Sequence, residues 1–154
     1  MKVRIYLAGA IGYYGAGAEY PKLWRKMASE WFEIYSGYAY DYDFYCIDPT
    51  RYYEYGKDNH KSEKEVMMFD LRKVESADVI LVNLKDIEKS PGTIDEVFDA
   101  WINKIPVIGF LETNSEEDIE LHPWIQEQMD RIEIGENATK KAMIYIKDYY
   151  GESR

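Results

Sequence analysis

Val79-Ile-Leu-Val-Asn-Leu84 is an uncharged run flanked by Asp78 on one side and Lys85-Asp86 on the other. Its length and β-branched content read as a strand. Because it does not alternate polar with apolar residues, both of its faces must be covered. Such strands belong to parallel sheets with helices packed on either side. Working outward, residues 2–8 alternate into an apolar strand that stops at Gly9, and residues 44–47 form a second strand closed by Asp48-Pro49. Residues 106–111 supply a further buried strand, and 131–134 a short last one.

Helices fall between these strands, without hairpin signals. Pro21 suits a first helical turn, and Leu23, Trp24, Met27, Trp31, Phe32 and Ile34 give an apolar stripe to about Tyr35. Ser62-x-x-Glu65 is a capping box that starts a helix running to about Glu75, and Thr93-x-x-Glu96 is a second one starting a helix to about Asn103. Residues 116–129 read as helical around His122-Pro123, and 138–150 as a final helix. The expected fold is one domain over residues 1–154, a doubly wound, flavodoxin-like α/β sheet of five parallel strands in the order 2-1-3-4-5, with helices on both faces.

Composition narrows the function. With one cysteine and two histidines, neither a disulfide framework nor a Cys/His zinc site is expected. A net charge of −10 argues against nucleic-acid polymers, whose binding draws on basic stripes and counterion release. No run reaches transmembrane length and no signal-peptide pattern opens the chain, so a cytoplasmic protein without membrane association is expected. The 15 tyrosines cluster at Tyr13-Tyr14, 35–45, 52–55 and Tyr149-Tyr150, where rings could stack on bases or wall a core or subunit interface.

The topology locates a site before chemistry is considered. Ligands of such sheets bind beyond the carboxyl ends of the strands, where the strand order reverses, so loops 9–17 and 85–93 should face one crevice. Asp70 falls on a stripe with Val66, Met67, Val74 and Ala77, which turns it inward and raises its pKa toward values useful in acid–base work. A structural aspartate bonded to a loop is the plainer alternative. Glu96 shares the polar side of its helix with Asp99 and Asn103. Its first-turn position should keep it ionised, although it could serve only to complete the Thr93 cap. An ionised carboxylate beside an acid of raised pKa is the pair that glycoside cleavage requires. Ser90-Pro-Gly92-Thr93 offers backbone N–H groups and two hydroxyls to a 5′-phosphate or 5′-hydroxyl, or is an ordinary turn. The Gly9-Ala-Ile-Gly-Tyr-Tyr-Gly-Ala-Gly17 loop lacks the ordered dinucleotide fingerprint, and neither a P-loop nor a nucleophile elbow occurs.

Together Ile5-Tyr-Leu-Ala-Gly9, Asp70, Ser76-Ala-Asp-Val-Ile-Leu-Val-Asn83, Gly92-Thr-Ile-Asp-Glu96 and Ile105-Pro-Val-Ile-Gly109 resemble the nucleoside 2-deoxyribosyltransferase family over residues 3–110. The resemblance implies that Glu96 attacks the anomeric carbon, that Asp70 assists the departing base, and that Tyr6 positions the nucleophile. It also implies that Gly9, Ala10 and Ile11 cover the sugar and base, with Asn83, Ser90, Gly92 and Thr93 completing the substrate pocket. The family's best-known transferases carry an acid six residues before the nucleophile, where this chain has Ser90. In that respect it is similar to the related 2′-deoxynucleoside 5′-monophosphate N-hydrolases. Asp86 or Glu88 could supply an acid from the same loop.

The expected activity is cleavage of the N-glycosidic bond of a 2′-deoxynucleoside through a deoxyribosyl-Glu96 ester, with transfer of the sugar to another base. It needs neither metal nor organic cofactor. The resemblance further implies a homo-oligomer with pockets at subunit boundaries, acting on a small nucleoside or nucleotide and a free base. The alternatives are a 5′-monophosphate hydrolase and a non-catalytic nucleotide-sensing domain. A flavodoxin-like electron carrier is disfavoured by the absence of a flavin phosphate loop.

Overall fold

A computed structural model describes residues 2–15, 17–37, 42–53, 61–114 and 120–152. Five parallel strands form one sheet in the order β2-β1-β3-β4-β5: β1 (Lys2–Ala8), β2 (Asp43–Ile47), β3 (Val79–Asn83), β4 (Val107–Glu112) and β5 (Arg131–Gly135). The chain runs outward from β1 to β2, then returns past it to β3, so the order reverses between β1 and β3. This is the expected flavodoxin-like arrangement, and every residue of β3 is buried, as its unbroken uncharged character requires.

Helices cover both faces. On one, α1 (Tyr20–Ile34) and α6 (Ala138–Ile146) enclose a core of Val3, Ile5, Leu7, Phe32, Leu81, Phe110 and Met143. On the other, α3 (Glu63–Glu75) and α4 (Pro91–Ile102) pack over Tyr6, Ala8, Ile80, Val82 and Val97. Alternation along β1 thus sends Ile5 and Leu7 to one core and Tyr6 and Ala8 to the other. Short helices α2 (Thr50–Tyr53) and α5 (Pro123–Glu127) follow β2 and precede β5. Among the described residues no helix is long and apolar enough to cross a membrane.

Several sequence expectations change. Ser62 caps α3 by accepting from Glu65 N–H at 3.3 Å, and the Glu65 carboxylate accepts from Lys61 N–H, one residue before the cap, so the expected cap forms with its return bond displaced by one residue. The Thr93 box does not. The helix α4 begins at Pro91 with Ser90 as its N-cap residue, because proline's fixed φ favours the first helical position and its missing N–H is no loss there. Of the helix expected over 116–129, the described residues 120–129 show α5 alone, opened by His122 Nδ1 accepting from Trp124 N–H at 3.2 Å. Residues 115–119, like Tyr38, Tyr40 and Tyr55 of the tyrosine clusters, lie outside the described residues. The last helix gives way to a π-helical turn, Lys147–Glu152.

The α1 stripe is also redrawn. Trp24 and Phe32 are buried and Trp31 is half-buried, but Leu23, Met27 and Ile34 are exposed. The buried face instead runs through Pro21, Trp24, Arg25, Ala28 and Phe32, a spacing that follows the 3.6-residue period more closely.

Candidate active site

Three of the residues expected at the site meet on the face covered by α3 and α4. Tyr6 comes from β1, Glu96 from the second turn of α4, and Asp70 from α3. Tyr6 is wholly buried, and both its hydroxyl and Glu96 Oε2 are enclosed without a partner in hydrogen-bonding geometry. The two nevertheless act on each other, the Tyr6 hydroxyl favouring the Glu96 carboxylate as a hydrogen-bond donor and the Glu96 charge disfavouring loss of the Tyr6 proton. Burial pushes the Tyr6 hydroxyl far above the usual phenol range, and the charges of Glu96 and Asp70 push the same way. At neutral pH Tyr6 keeps its proton and can donate it to a hydrogen bond.

Glu96 departs from its expected state. Because α4 starts three residues earlier than the capping pattern suggested, with Ser90 and not Thr93 at its cap, Glu96 lies beyond the first turn, half-buried with Oε2 enclosed, and burial raises its pKa to about 7. The Tyr6 hydroxyl opposes that rise, the Asp70 carboxylate adds to it, Arg25 opposes it, and Asp95 adds to it. Asp99 and Asn103 do not share this environment. Asp99 is pushed up by burial and by Glu75 of α3, and Asn103 is exposed, bonding back to Asp99 O at 2.8 Å.

Asp70 is half-buried rather than enclosed, since Met67 on its helix is 47% exposed and only Val74 of α3 is buried. Its charge nevertheless acts on both Tyr6 and Glu96, so two acids 26 residues apart in sequence share one electrostatic site.

The two loops at the carboxyl edge meet as the topology required. Gly9 and Ala10 are buried and Ile11 is half-buried. A Cβ at Gly9 would lie 3.1 Å from Trp24 Cζ2 and 3.2 Å from Asn83 Cβ, so only glycine lets β1 approach β3 there. Asn83 donates to Tyr20 Oη at 3.0 Å and accepts from Lys85 N–H at 3.1 Å, which commits its side chain to holding the loops. Tyr14 donates to Asp86 Oδ2 at 2.8 Å, and Lys89 Nζ donates to Tyr13 Oη at 3.1 Å. The Lys85 ammonium lies 4.4 Å from the Tyr20 ring centre. Asp86, considered from sequence as an acid for the base, is thus tied to Tyr14. At the start of α4, Ser90 Oγ and Thr93 Oγ1 lie 2.7 Å apart, with Thr93 buried and Gly92 exposed.

Sequence reading overlooked Arg25, which sits on the buried face of α1 with no exposure. Its guanidinium donates to Leu7 O at 3.0 Å, Pro21 O at 2.9 Å and Gly9 O at 2.9 Å, and lies 3.9 Å from Asp48 Oδ1. Asp48 in turn accepts from Thr50 N–H and Oγ at 2.9 and 2.6 Å. The available signal was positional: Arg25 lies four residues after Pro21 and three before Ala28, on the face that packs.

Among the described residues no cluster of three His, Cys, Asp or Glu side chains could hold a metal ion. A cleft of about 560 Å³ at the β5–α6 edge is lined by Arg131, Glu133, Lys141, Tyr145 and Tyr149, and none of the expected site residues lines it.

No protein-family model matches this sequence, and no curated protein does. Solved structures do. A conserved protein from Enterococcus faecalis V583 is 14% identical, with a TM-score of 0.73, 96% of this chain and 99% of that chain being covered. A 2-deoxyribosyltransferase from Bacillus psychrosaccharolyticus is 20% identical, with a TM-score of 0.52 and coverage of 84% and 85%. At these identities the chain shares the fold of both proteins.

Proposed function

We propose that this protein cleaves the N-glycosidic bond of 2′-deoxynucleosides and transfers the deoxyribosyl group to a second base. The observation that carries the reading is the enclosure of Tyr6 Oη and Glu96 Oε2 together within the field of Asp70, at the face where the sheet order reverses. Buried polar atoms without partners cost stability, and such sites are retained where a reaction uses them. The sequence resemblance and the shared fold with a 2-deoxyribosyltransferase support the same reading.

Glu96 titrates near 7, so a substantial fraction is ionised at neutral pH. The two acids share one field, so ionisation of either disfavours ionisation of the other, which suits a pair that divides the nucleophile and acid roles. A Glu96 oxygen bonds to the anomeric carbon as the bond from that carbon to the base breaks. The electron pair goes to the base nitrogen and Asp70 delivers the proton. The nitrogen of an incoming base then attacks the same carbon, the sugar–Glu96 ester bond breaks to restore the carboxylate, and Asp70 takes back the proton that the base nitrogen loses. Tyr6 holds the carboxylate oriented throughout.

A second reading has its own support. The Ser90–Thr93 hydroxyl pair at the N-terminus of α4, with Lys89 preceding it, suits a 5′-phosphate, and with water as the acceptor the reaction is hydrolysis of a deoxynucleoside monophosphate. Purified protein incubated with each deoxynucleoside and each monophosphate, with and without a free base, separates these readings by product chromatography. Base exchange supports transfer. Free base released only from monophosphates supports hydrolysis, and absence of either product counts against both.

A further inference from the structure

We propose that Arg25 is the positioning residue of this site, holding the carboxyl end of β1 and its glycine loop in place while supplying the fixed cation against which Glu96 carries its charge. The proposal rests on the reading of Glu96 as the nucleophile.

The geometry has two parts. Arg25 fastens carbonyls of Leu7 and Gly9, which bracket the end of the strand that also delivers Tyr6, to Pro21 at the start of α1. Three directed bonds from one planar fork fix the path of this turn, a task lysine's single ammonium cannot reproduce. The second part is electrostatic. A buried guanidinium is costly unless its donors are satisfied and its charge is opposed, and Asp48 at 3.9 Å is its nearest acidic partner. Burial lowers the Arg25 pKa to about 10, so it stays charged at neutral pH, with Asp48, Glu96, Tyr6 and Tyr20 acting on it.

Around Glu96, the groups facing it are Tyr6 from β1, Asp70 from α3, Arg25 from α1 and Asp95 from its own helix; of these, Arg25 is the cation. Without it, the desolvated carboxylate beside Asp70 would hold its proton to higher pH. Arg25 touches neither the bond being broken nor the base, so its effect passes through Glu96 and through the loop.

The test follows the Glu96 carboxyl directly, by carbon NMR titration of the full-length protein labelled at glutamate side-chain carboxyls, with Glu96→Gln supplying the assignment. It also follows the acidic limb of kcat/KM against pH. Arg25→Met is expected to move both midpoints up by roughly one unit, and Arg25→Lys to leave them near the wild-type value while lowering kcat. Asp48→Asn keeps an acceptor for Thr50 but removes the opposing charge, and is expected to move both midpoints down. Unmoved midpoints in folded Arg25→Met and Asp48→Asn overturn the proposal, and Asp48→Asn alone decides it if the methionine variant does not fold. Carboxyl midpoints that shift as expected in a protein that cleaves no deoxynucleoside would sustain the role of Arg25 and remove the enzymatic reading instead.

Discussion

Tyr14 donates a 2.8 Å hydrogen bond to Asp86, joining the glycine loop after β1 to the loop after β3 across 72 residues of sequence. Gly15 and Gly17, at φ of 85° and 78°, let the chain turn back from this contact into α1. On the proposed reading, this clasp between the two carboxyl-edge loops would limit the access of water to an ester intermediate. Tyr14→Phe is expected to raise the ratio of hydrolysis to base transfer several-fold, because one charge-assisted bond of this kind is worth about 1.5–3 kcal/mol at most and is partly exposed here. The measurement is the product ratio at a fixed concentration of acceptor base. An unchanged ratio would show that the clasp does not control water access.

Glu96 imposes a cost on the fold that its replacement should relieve. It titrates near 7 in the folded protein against an ordinary value of 4.5, so between these values the folded state holds a proton that the unfolded chain has released. Stability contributed by this group is complete below about pH 4.5 and is lost as pH rises through about 7. At ~1.36 kcal/mol per unit the total is on the order of 3 kcal/mol. Glu96→Gln is expected to be more stable than the wild type at about pH 8 and to lose this pH dependence, as read from urea unfolding at several pH values. Equal pH dependence in the two proteins would contradict the enclosed position of Glu96.

Gly9 is closed to any side chain by the Trp24 ring, Asn83 Cβ and the Arg25 guanidinium, all within 3.4 Å of the point a Cβ would occupy. None of these groups has room to retreat, since Trp24, Arg25 and Asn83 are themselves buried. Gly9→Ala is expected to cost about 1–3 kcal/mol by overpacking and to reduce kcat/KM, because the displaced carbonyl is one that Arg25 holds. Thermal unfolding with kinetics checks both. A variant of unchanged Tm would show that β1 and β3 separate easily at this edge.

Asp70 is assigned the proton for the leaving base. Asp70→Asn is expected to lower kcat by roughly 10²–10⁴-fold and to lower the apparent pKa of Glu96, since a neutral amide no longer opposes its ionisation. The pH profile separates this from a structural loss, which would reduce activity without moving the acidic limb.

The contrast between β3 and α4 explains what could be read in advance. Every position of β3 is uncharged and buried, so strand type and sheet position followed from residue pattern alone. The start of α4 depended on a competition between two local signals, the Thr93 box and Pro91. A three-residue difference was enough to carry Glu96 from a solvated first turn to a half-buried position with Oε2 enclosed. Asp70 was singled out because the helical period puts it on a stripe with Val66, Met67, Val74 and Ala77, but that stripe is only partly buried, with Asp70 half-buried and Met67 exposed. Arg25 was not, because charged residues rarely occupy buried positions and its partners are backbone carbonyls, which leave no trace in side-chain identity. The Tyr13 and Tyr14 contacts with Lys89 and Asp86 likewise join loops whose approach only the fold determines.

The most direct test of the central claim is acid quenching of the protein during turnover of a deoxynucleoside, followed by mass spectrometry of its peptides. The expected result is a single added deoxyribosyl group on Glu96, absent from Glu96→Ala, which should retain less than roughly a thousandth of the activity. Base release continuing at the wild-type rate in Glu96→Ala, or a sugar adduct mapped to another residue, would contradict it.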